Sequence, residues 1–381
     1  MGTVGIIAEF NPLHPGHEEH INESKKLTGG SVIIVMSGNF VQRGEPAIVD
    51  KWFRTEAALK CGVDIVVELP VCYVLCGADY FARGAVCLLE KCGIVKSLSF
   101  GSECGEIAAI SKAADVLVLE PDEFKKVLKK RLGLGFSFAA ARGFALDACL
   151  PGSPEGLFTR PNNGLGIEYV KAVKLLGSKM EVLTTHRKPG GPSATKIRNE
   201  MLGGEGDNTC YGKRECGAMV QKKCNKYVRL DDFSDIFKYL LFTRKDLCLG
   251  EGLENRFRKF AGDFTKISDL IDAVKTKRYT HTRLQRAVLR TVLGLPNDCG
   301  KPGYIRVLGF KRESASLLGS LVKNAKLPVI TTGKGIEEIL ARGGDSGFML
   351  KKEIEAGDIY RIAKGGKGGH LQERGHGIVV V

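Results

Sequence analysis

The chain has 381 residues, enough for two domains with a core each, and its 43% hydrophobic and 26% charged residues are those of an ordinary soluble globular protein. Its longest apolar runs fall well short of a membrane span and its first residues lack a charged-then-apolar secretory pattern, so no membrane partner and a cytoplasmic location are expected. The net charge of +14 is unevenly spread, at −5 over residues 1–120 and +19 over the remainder. That asymmetry points to a polyanion docking on the later part; a merely solvated basic surface is the alternative.

The twelve cysteines are scattered and none forms a Cys-x-x-Cys pair, so reduced and mostly buried thiols are expected. Cys210, Cys216 and Cys224 share one short stretch, where a metal site is the lesser reading, and no metal centre is expected elsewhere.

In chain order, the continuous apolar run Val4 to Ala8 reads as a buried strand. Then follow Glu9-Phe10-Asn11-Pro12-Leu13-His14-Pro15-Gly16-His17 and a helical run from Glu18 to Leu27. Pro15 suits a helix's first turn, and Gly16 lets a phosphate approach the free N–H groups there. His14 and His17 sit at the strand–helix junction, placed to donate to phosphate oxygens as charge builds in a transition state. This is a His-x-Gly-His signature of adenylyl-transferring enzymes; chance spacing and a zinc site are the competing readings.

Ser31 to Met36 is a second strand, opening into the polar loop Ser37 to Pro46, which carries Arg43. A helix is expected over Asp50 to Lys60, a strand over Asp64 to Leu69 closed by Pro70, a helix over Tyr80 to Lys91 and a strand over Lys96 to Glu103. Alternation at this spacing predicts a parallel, doubly wound sheet whose ligands sit beyond the carboxyl ends of the strands. Three loops, at His14, at Ser37 to Arg43 and at Gly101 to Glu103, then converge on one cleft.

Residues 107–132 and 167–177 read as helices, and Met180 to Thr185 as a fifth strand leading into His186-Arg187. Ser193 is placed to cap a following helix, and Ser193, Thr195, Lys196 and Arg198 make a candidate phosphate site at its N-terminus, with Arg43 a further candidate. Glycine, cysteine and lysine crowd 203–226, a linker between a catalytic domain (1–202) and a mainly helical basic domain (203–381). Helices are expected over Asp232 to Leu241, Leu253 to Ala261, Ile267 to Lys275 and Thr282 to Leu293. Within Thr276 to Arg286, the cations Lys277, Arg278, Arg283 and Arg286 surround Tyr279, a pattern able to grip phosphates and stack a base, or simply a solvated helix start. Tyr304 to Phe310 is a short extended piece, and the Gly/Lys-rich tail from Arg361 to Arg374 is expected to be mobile.

Taken together, Gly5 to His17, Val35 to Pro46 with Asp50-Lys51-Trp52, Phe100 to Glu103, Pro161-Asn162-Asn163 with Leu165 to Tyr169, Ser193 to Arg198 and Thr276 to Arg286 resemble one family over nearly the whole chain. They resemble the bacterial tRNA(Met) cytidine acetate ligases, a branch of the His-x-Gly-His nucleotidyltransferase-like superfamily. Two departures stand out. Pro15 replaces the family's usual Asn, and the glycine-rich stretch between Arg187 and Ser193 is shorter.

The resemblance implies ATP bound across Ile7, Ala8, Glu9, Phe10, Asn11, Pro12, Leu13, His14, Pro15, Gly16, His17, Glu18, Glu19 and His20, with further contacts from Gly101, Asn162 and Arg187. It implies Mg²⁺ on the triphosphate, acetate as co-substrate and elongator tRNA(Met) as acceptor. Acetate would attack the α-phosphorus to give acetyl-adenylate and pyrophosphate. The exocyclic amine of the wobble cytidine would then take the acetyl group, giving N(4)-acetylcytidine and AMP. Such chemistry needs positioning and charge neutralisation more than a protein nucleophile, and His14 and His17 would be its catalytic pair. Two alternatives stay open: an adenylyltransferase of cofactor biosynthesis, acting on NMN or phosphopantetheine, and a non-catalytic RNA-binding protein. A homodimer is one of the assembly states left open.

Overall fold

The computed structural model describes all residues except 1, 188–193, 204–225, 245, 246, 248, 251, 263, 299 and 367–369, and the side chains of 370–372. Seven strands, β1 (Thr3–Ala8), β2 (Val32–Ser37), β5 (Ile65–Leu69), β6 (Val95–Ser102), β7 (Glu181–His186), β8 (Ile305–Phe310) and β10 (Val379–Val380), stand side by side in the order β10-β8-β5-β2-β1-β6-β7. The five from β5 to β7 are mutually parallel. β8 joins β5 antiparallel and carries β10 and β9 (Val329–Ile330) beside it, while β3 (Phe40–Val41) and β4 (Glu45–Pro46) form a separate small hairpin. The expected doubly wound α/β architecture is therefore present, enlarged by an antiparallel edge.

Side-chain alternation explains how the sheet is covered. Val4, Ile6, Val32, Ile34 and Met36 face α1 (Pro15–Thr28) and α2 (Lys51–Lys60) in one apolar cluster. Ile33, Val35, Ile65 and Val67 face the other way and join a larger cluster. That cluster includes α3 (Val71–Val74), α4 (Ala78–Lys91), α8 (Pro161–Leu175) and the helices after residue 230. Because both faces are covered, β2 and β5 are buried along their whole length, as their unbroken apolar runs require.

Two expectations are corrected. The helical run 107–132 is two helices, α5 (Ile107–Leu119) and α6 (Asp122–Gly133). Glu120 adopts φ 44° before Pro121, and a residue preceding proline is disfavoured in the α region. A third helix, α7 (Phe138–Cys149), returns alongside α6 before α8, which begins at Pro161 rather than 167.

The later part holds α10 (Ser234–Thr243), α11 (Leu253–Lys259), α12 (Ile267–Val274), α13 (His281–Leu293), α14 (Ala315–Asn324), α15 (Gly333–Arg342) and α16 (Gly344–Ala363). It is mainly helical, and the expected extended piece at Tyr304 to Phe310 is β8, which joins the main sheet, so the chain beyond 203 comes back to the strands of the first part.

The chain from Glu373 onward is engaged with the body of the protein. Glu373 is only 6% exposed, His376 stacks on Trp52 at 3.8 Å between ring centroids, and Val379 and Val380 pair with β8. The glycine-rich middle of the stretch expected to be mobile, 367–369, lies outside the described residues.

Candidate active site

The cleft forms where β1, β2 and β6 end. His14 is the N-cap of α1 and is 3% exposed; its imidazole stacks on that of His17, with centroids 3.7 Å apart. Gly16 makes this possible, because a Cβ there would lie 3.2 Å from His14 Cε1. The backbone N–H of His14 donates to His17 Nδ1 at 3.3 Å, which leaves the proton of a neutral His17 on Nε2. Phe10 meets His17 edge-on at 5.0 Å.

Behind the pair, His20 Nδ1 lies 2.8 Å from Thr185 Oγ1 on β7. The Nε2 atoms of His14 and His20 are buried and have no partner among the described residues.

All three imidazoles are held neutral. Burial, and then the charge of Arg187, push His14 down to about 4; burial pushes His20 to about 4 as well, opposed by the Ser99 backbone and aided by Arg187. Burial pushes His17 well below the ordinary histidine value, with His14, Arg187 and His20 adding to it. A neutral imidazole with a free Nε2–H donates a hydrogen bond without needing a proton from solvent.

Arg187 hangs on the end of β7, its N–H donating to Ser102 O at 2.8 Å. Glu103, just past β6, accepts from Asn162 Nδ2 at 2.7 Å and from the Asn163 N–H at 2.8 Å. Asn163 Oδ1 in turn accepts from the N–H groups of Glu103 and Cys104 at 2.9 and 3.1 Å. This exchange ties the start of α8 to the β6 end, so Gly101, Asn162 and Arg187 are brought together on the β6–β7 side of the histidines.

On the other side, Glu9 Oε1 accepts from the Gln42 N–H at 2.6 Å, and burial raises its carboxyl above the usual carboxylate range. Arg43, Glu45 and Arg54 lie near enough to act on Glu9 electrostatically, and exposed Arg43 stands at this mouth. Ser193 lies outside the described residues. Of its companions, Thr195 and Lys196 are exposed at the start of α9 (Ala194–Gly203), and Lys196 faces Glu200 at 3.9 Å. Arg198 Nη1 donates to Asn11 O at 2.9 Å and Nη2 stands 3.6 Å from Glu45, so this cation braces the loop before His14.

The basic segment meets the same mouth. Gly44, at φ 82°, packs so closely that a Cβ would lie 2.5 Å from the Arg286 backbone N, and Arg286 Nη1 donates to Gln42 O at 3.1 Å. Arg286 is thus engaged with the loop. Lys277 and Arg278 remain exposed, and the guanidinium groups of Arg278 and Arg283 stand 5.8 and 5.3 Å from the Tyr279 ring centre.

Sequence reasoning missed the residues that hold this floor. Arg54, 1% exposed, donates to the carbonyls of Glu9 (2.6 Å), Ser37 (3.0 Å) and Val49 (3.1 Å), and also to that of Gly38. Below it Lys51 pairs with Glu68 at 2.6 Å, with Glu353 at 3.7 Å and with Glu373, while Arg306 pairs with Glu68 at 3.0 Å and Glu373 at 3.1 Å. Lys51 and Trp52 were legible only as motif letters, and no local pattern joins residues so distant in sequence. The stretch with Cys210, Cys216 and Cys224 lies outside the described residues. Among those described, no three His, Cys, Asp or Glu side chains converge as metal ligands.

A histidine pair at a helix N-cap beyond a parallel strand defines a nucleotidyltransferase-type site, and the family model described as HIGH Nucleotidyl Transferase matches residues 1–373. The chain is 38% identical to the tRNA(Met) cytidine acetate ligase of Caldanaerobacter subterraneus subsp. tengcongensis over 387 residues, covering 95% of this chain and 96% of that one. It is 39% identical to the enzyme of the same name from Thermoanaerobacter sp. strain X514, over 95% and 96%. The crystal structure of Thermotoga maritima TmcAL bound with alpha-thio ATP superposes with a TM-score of 0.92 at 30% identity, covering 100% of both chains. The chain belongs to the tRNA(Met) cytidine acetate ligase family.

Proposed function

We propose that this protein is an ATP-dependent ligase that activates acetate as acetyl-adenylate and passes the acetyl group to the wobble cytidine of elongator tRNA(Met). The observation that carries the reading is the stacked, neutral His14–His17 pair at the α1 N-cap, in a chain so similar to one bound with an ATP analogue. Attack of acetate on the α-phosphorus forms a P–O bond and breaks the bond to pyrophosphate. His14 and His17 donate to the non-bridging oxygens as charge grows there, and the α1 N-terminus reinforces them. Arg187, with Lys196 and Arg198 nearby, neutralises the triphosphate. Mg²⁺ travels on phosphate oxygens, as that ion commonly does.

In the second step the cytidine amine, a poor nucleophile, attacks the acetyl carbon of the mixed anhydride and AMP leaves. The exposed cations of 276–286, placed against the Gln42–Gly44 loop, hold the RNA so that an unpaired anticodon base reaches the cleft. A tRNA substrate sets this work in the cytoplasm.

Incubation with total tRNA, ATP and labelled acetate tests the proposal. Label is expected at N4 of one cytidine in tRNA(Met), with AMP released. Transfer of AMP to a nicotinamide or pantetheine phosphate instead would establish the cofactor-synthesis alternative.

A further inference from the structure

Between β6 and β7 the chain makes a long excursion, and its middle is chemically unusual. Residues 124–146 contain six Lys or Arg and no Asp or Glu. That stretch is all but the ends of the antiparallel hairpin of α6 and α7, where Asp122, Glu123 and Asp147 lie, and the hairpin exposes Leu134 (64%), Phe138 (54%), Phe144 (40%) and Phe136 (36%). Three of the six exposed phenylalanines among the described residues lie on this one hairpin, so the surface is a patch rather than scattered single side chains. Arg131 lies over the Phe144 ring at 4.1 Å and near Phe136 at 5.8 Å, and those two rings meet edge-on at 5.4 Å.

The hairpin is anchored beside the cleft. Arg142 on α7 pairs with buried Glu168 on α8, six residues along from Asn162, which is about 9 Å of helix. Asn162 itself holds Glu103 at the β6 end. Since β2 and β6 are the two neighbours of β1, the hairpin and the 276–286 segment flank the histidine pair from opposite sides.

We infer that the α6–α7 hairpin is a second RNA-binding arm, gripping the tRNA phosphates with Lys125, Lys126, Lys129 and Lys130 and stacking an unpaired base on Phe138. The inference rests on tRNA being the substrate. Aromatic faces set among cations match single-stranded RNA, whose bases stack and whose backbone repels carboxylates. A second copy of the chain fits poorly, because two such faces would bring like charges together. An anionic membrane would share the charge complementarity but has no reason to lie beside the nucleotide cleft.

The test uses the full-length chain, with Phe138→Ala and with Lys129→Gln/Lys130→Gln. All three side chains are exposed, so folding is not at stake, and acetate-dependent ATP–pyrophosphate exchange without tRNA serves as the control. Phe138→Ala is expected to weaken tRNA(Met) binding about ten-fold. The double variant should flatten the salt dependence of log Kd by roughly one to two, with exchange unchanged in both.

Unaltered tRNA binding in both variants, while Lys277→Ala weakens it, overturns the arm and leaves the tRNA reading standing. Wild-type protein that carries out exchange yet binds no tRNA removes both. A dimer that Phe138→Ala dissociates, or binding to phosphatidylglycerol vesicles that it abolishes, with tRNA affinity intact in either case, assigns the patch to that other partner and overturns the proposal.

Discussion

His17 offers the sharpest test, because its two ring nitrogens have separable duties. Nδ1 accepts from the His14 N–H, and Nε2–H is the donor assigned to the α-phosphate. In His17→Asn the side-chain carbonyl reproduces the Nδ1 acceptor but nothing replaces Nε2–H. In His17→Gln the amide N–H₂ falls near the Nε2 position and the Nδ1 acceptor is lost. Removing one preorganised donor from a developing oxyanion costs roughly 10²–10³ in kcat, about 3–4 kcal/mol. The aromatic contacts of His17 with Phe10 and His14 are the competing loss, and such pairs contribute only about 0.5–1.5 kcal/mol each. The donor term should therefore dominate.

In acetate-dependent ATP–pyrophosphate exchange, Asn is expected to lose ~10²-fold or more and Gln about ten-fold. Calorimetric ATP affinity should change far less than kcat in either, since the donor acts on the transition state more than on bound ATP. Equal losses in Asn and Gln, or an affinity loss matching the rate loss, would show that the imidazole shapes the pocket instead of stabilising transferred charge.

Three further outcomes follow from the geometry. Lys277→Ala or Arg283→Ala should weaken tRNA binding and its salt dependence while leaving exchange nearly intact; a parallel fall in both half-reactions, followed separately, would contradict the division of labour. Lys51→Met should cost about 3–5 kcal/mol in urea unfolding, by stranding buried carboxylates, and Lys51→Met/Glu373→Gln should recover part of it; an unchanged midpoint in the single variant would mean that the network is not desolvated. His14 and His20 have folded values near 4, below the ordinary 6.5, so acid favours the unfolded chain, which takes up their protons first. Stability should fall as pH drops from about 6.5 towards 4, by up to ~3 kcal/mol per histidine at the lower end, and His20→Leu should flatten that slope; an identical acid slope in His20→Leu would refute it.

Much of the molecule could be read from residue order because its signals are local. Unbroken apolar runs announce strands covered on both faces, and a proline and a glycine between two histidines announce a helix start built for an anion. What residue order does not show is where a distant partner decides. Glycine and lysine in 361–374 suggest a loose tail until Glu373 finds Lys51 and Arg306. Tyr304 to Phe310 reads as extended, but nothing local says that β5 supplies its ladder. The helix position of Arg198 makes it a phosphate candidate but gives no sign that its guanidinium also meets Asn11 and Glu45. Pairings of this kind span up to some three hundred residues and leave no periodic trace.

The buried charges beneath the cleft have a common origin. Where parallel strands end, their last carbonyls lose the neighbouring strand's N–H donors, and a buried carbonyl without a donor is costly. At the ends of β1 and β2 one guanidinium, that of Arg54, meets this need for Glu9, Ser37 and Gly38 together. A buried cation needs countercharge, and Asp50, Glu9 and Glu68 lie close enough to supply it. Glu68 in turn meets Lys51 and Arg306, which require Glu373 from the tail. Tyr360 and Lys364 complete the closure from the later part, through Ala47 O at 2.7 Å and Asp50 at 3.1 Å. The loops around the histidine pair are thus held by residues from the far end of the chain, which makes the later part of the chain a structural requirement of the site in the earlier one.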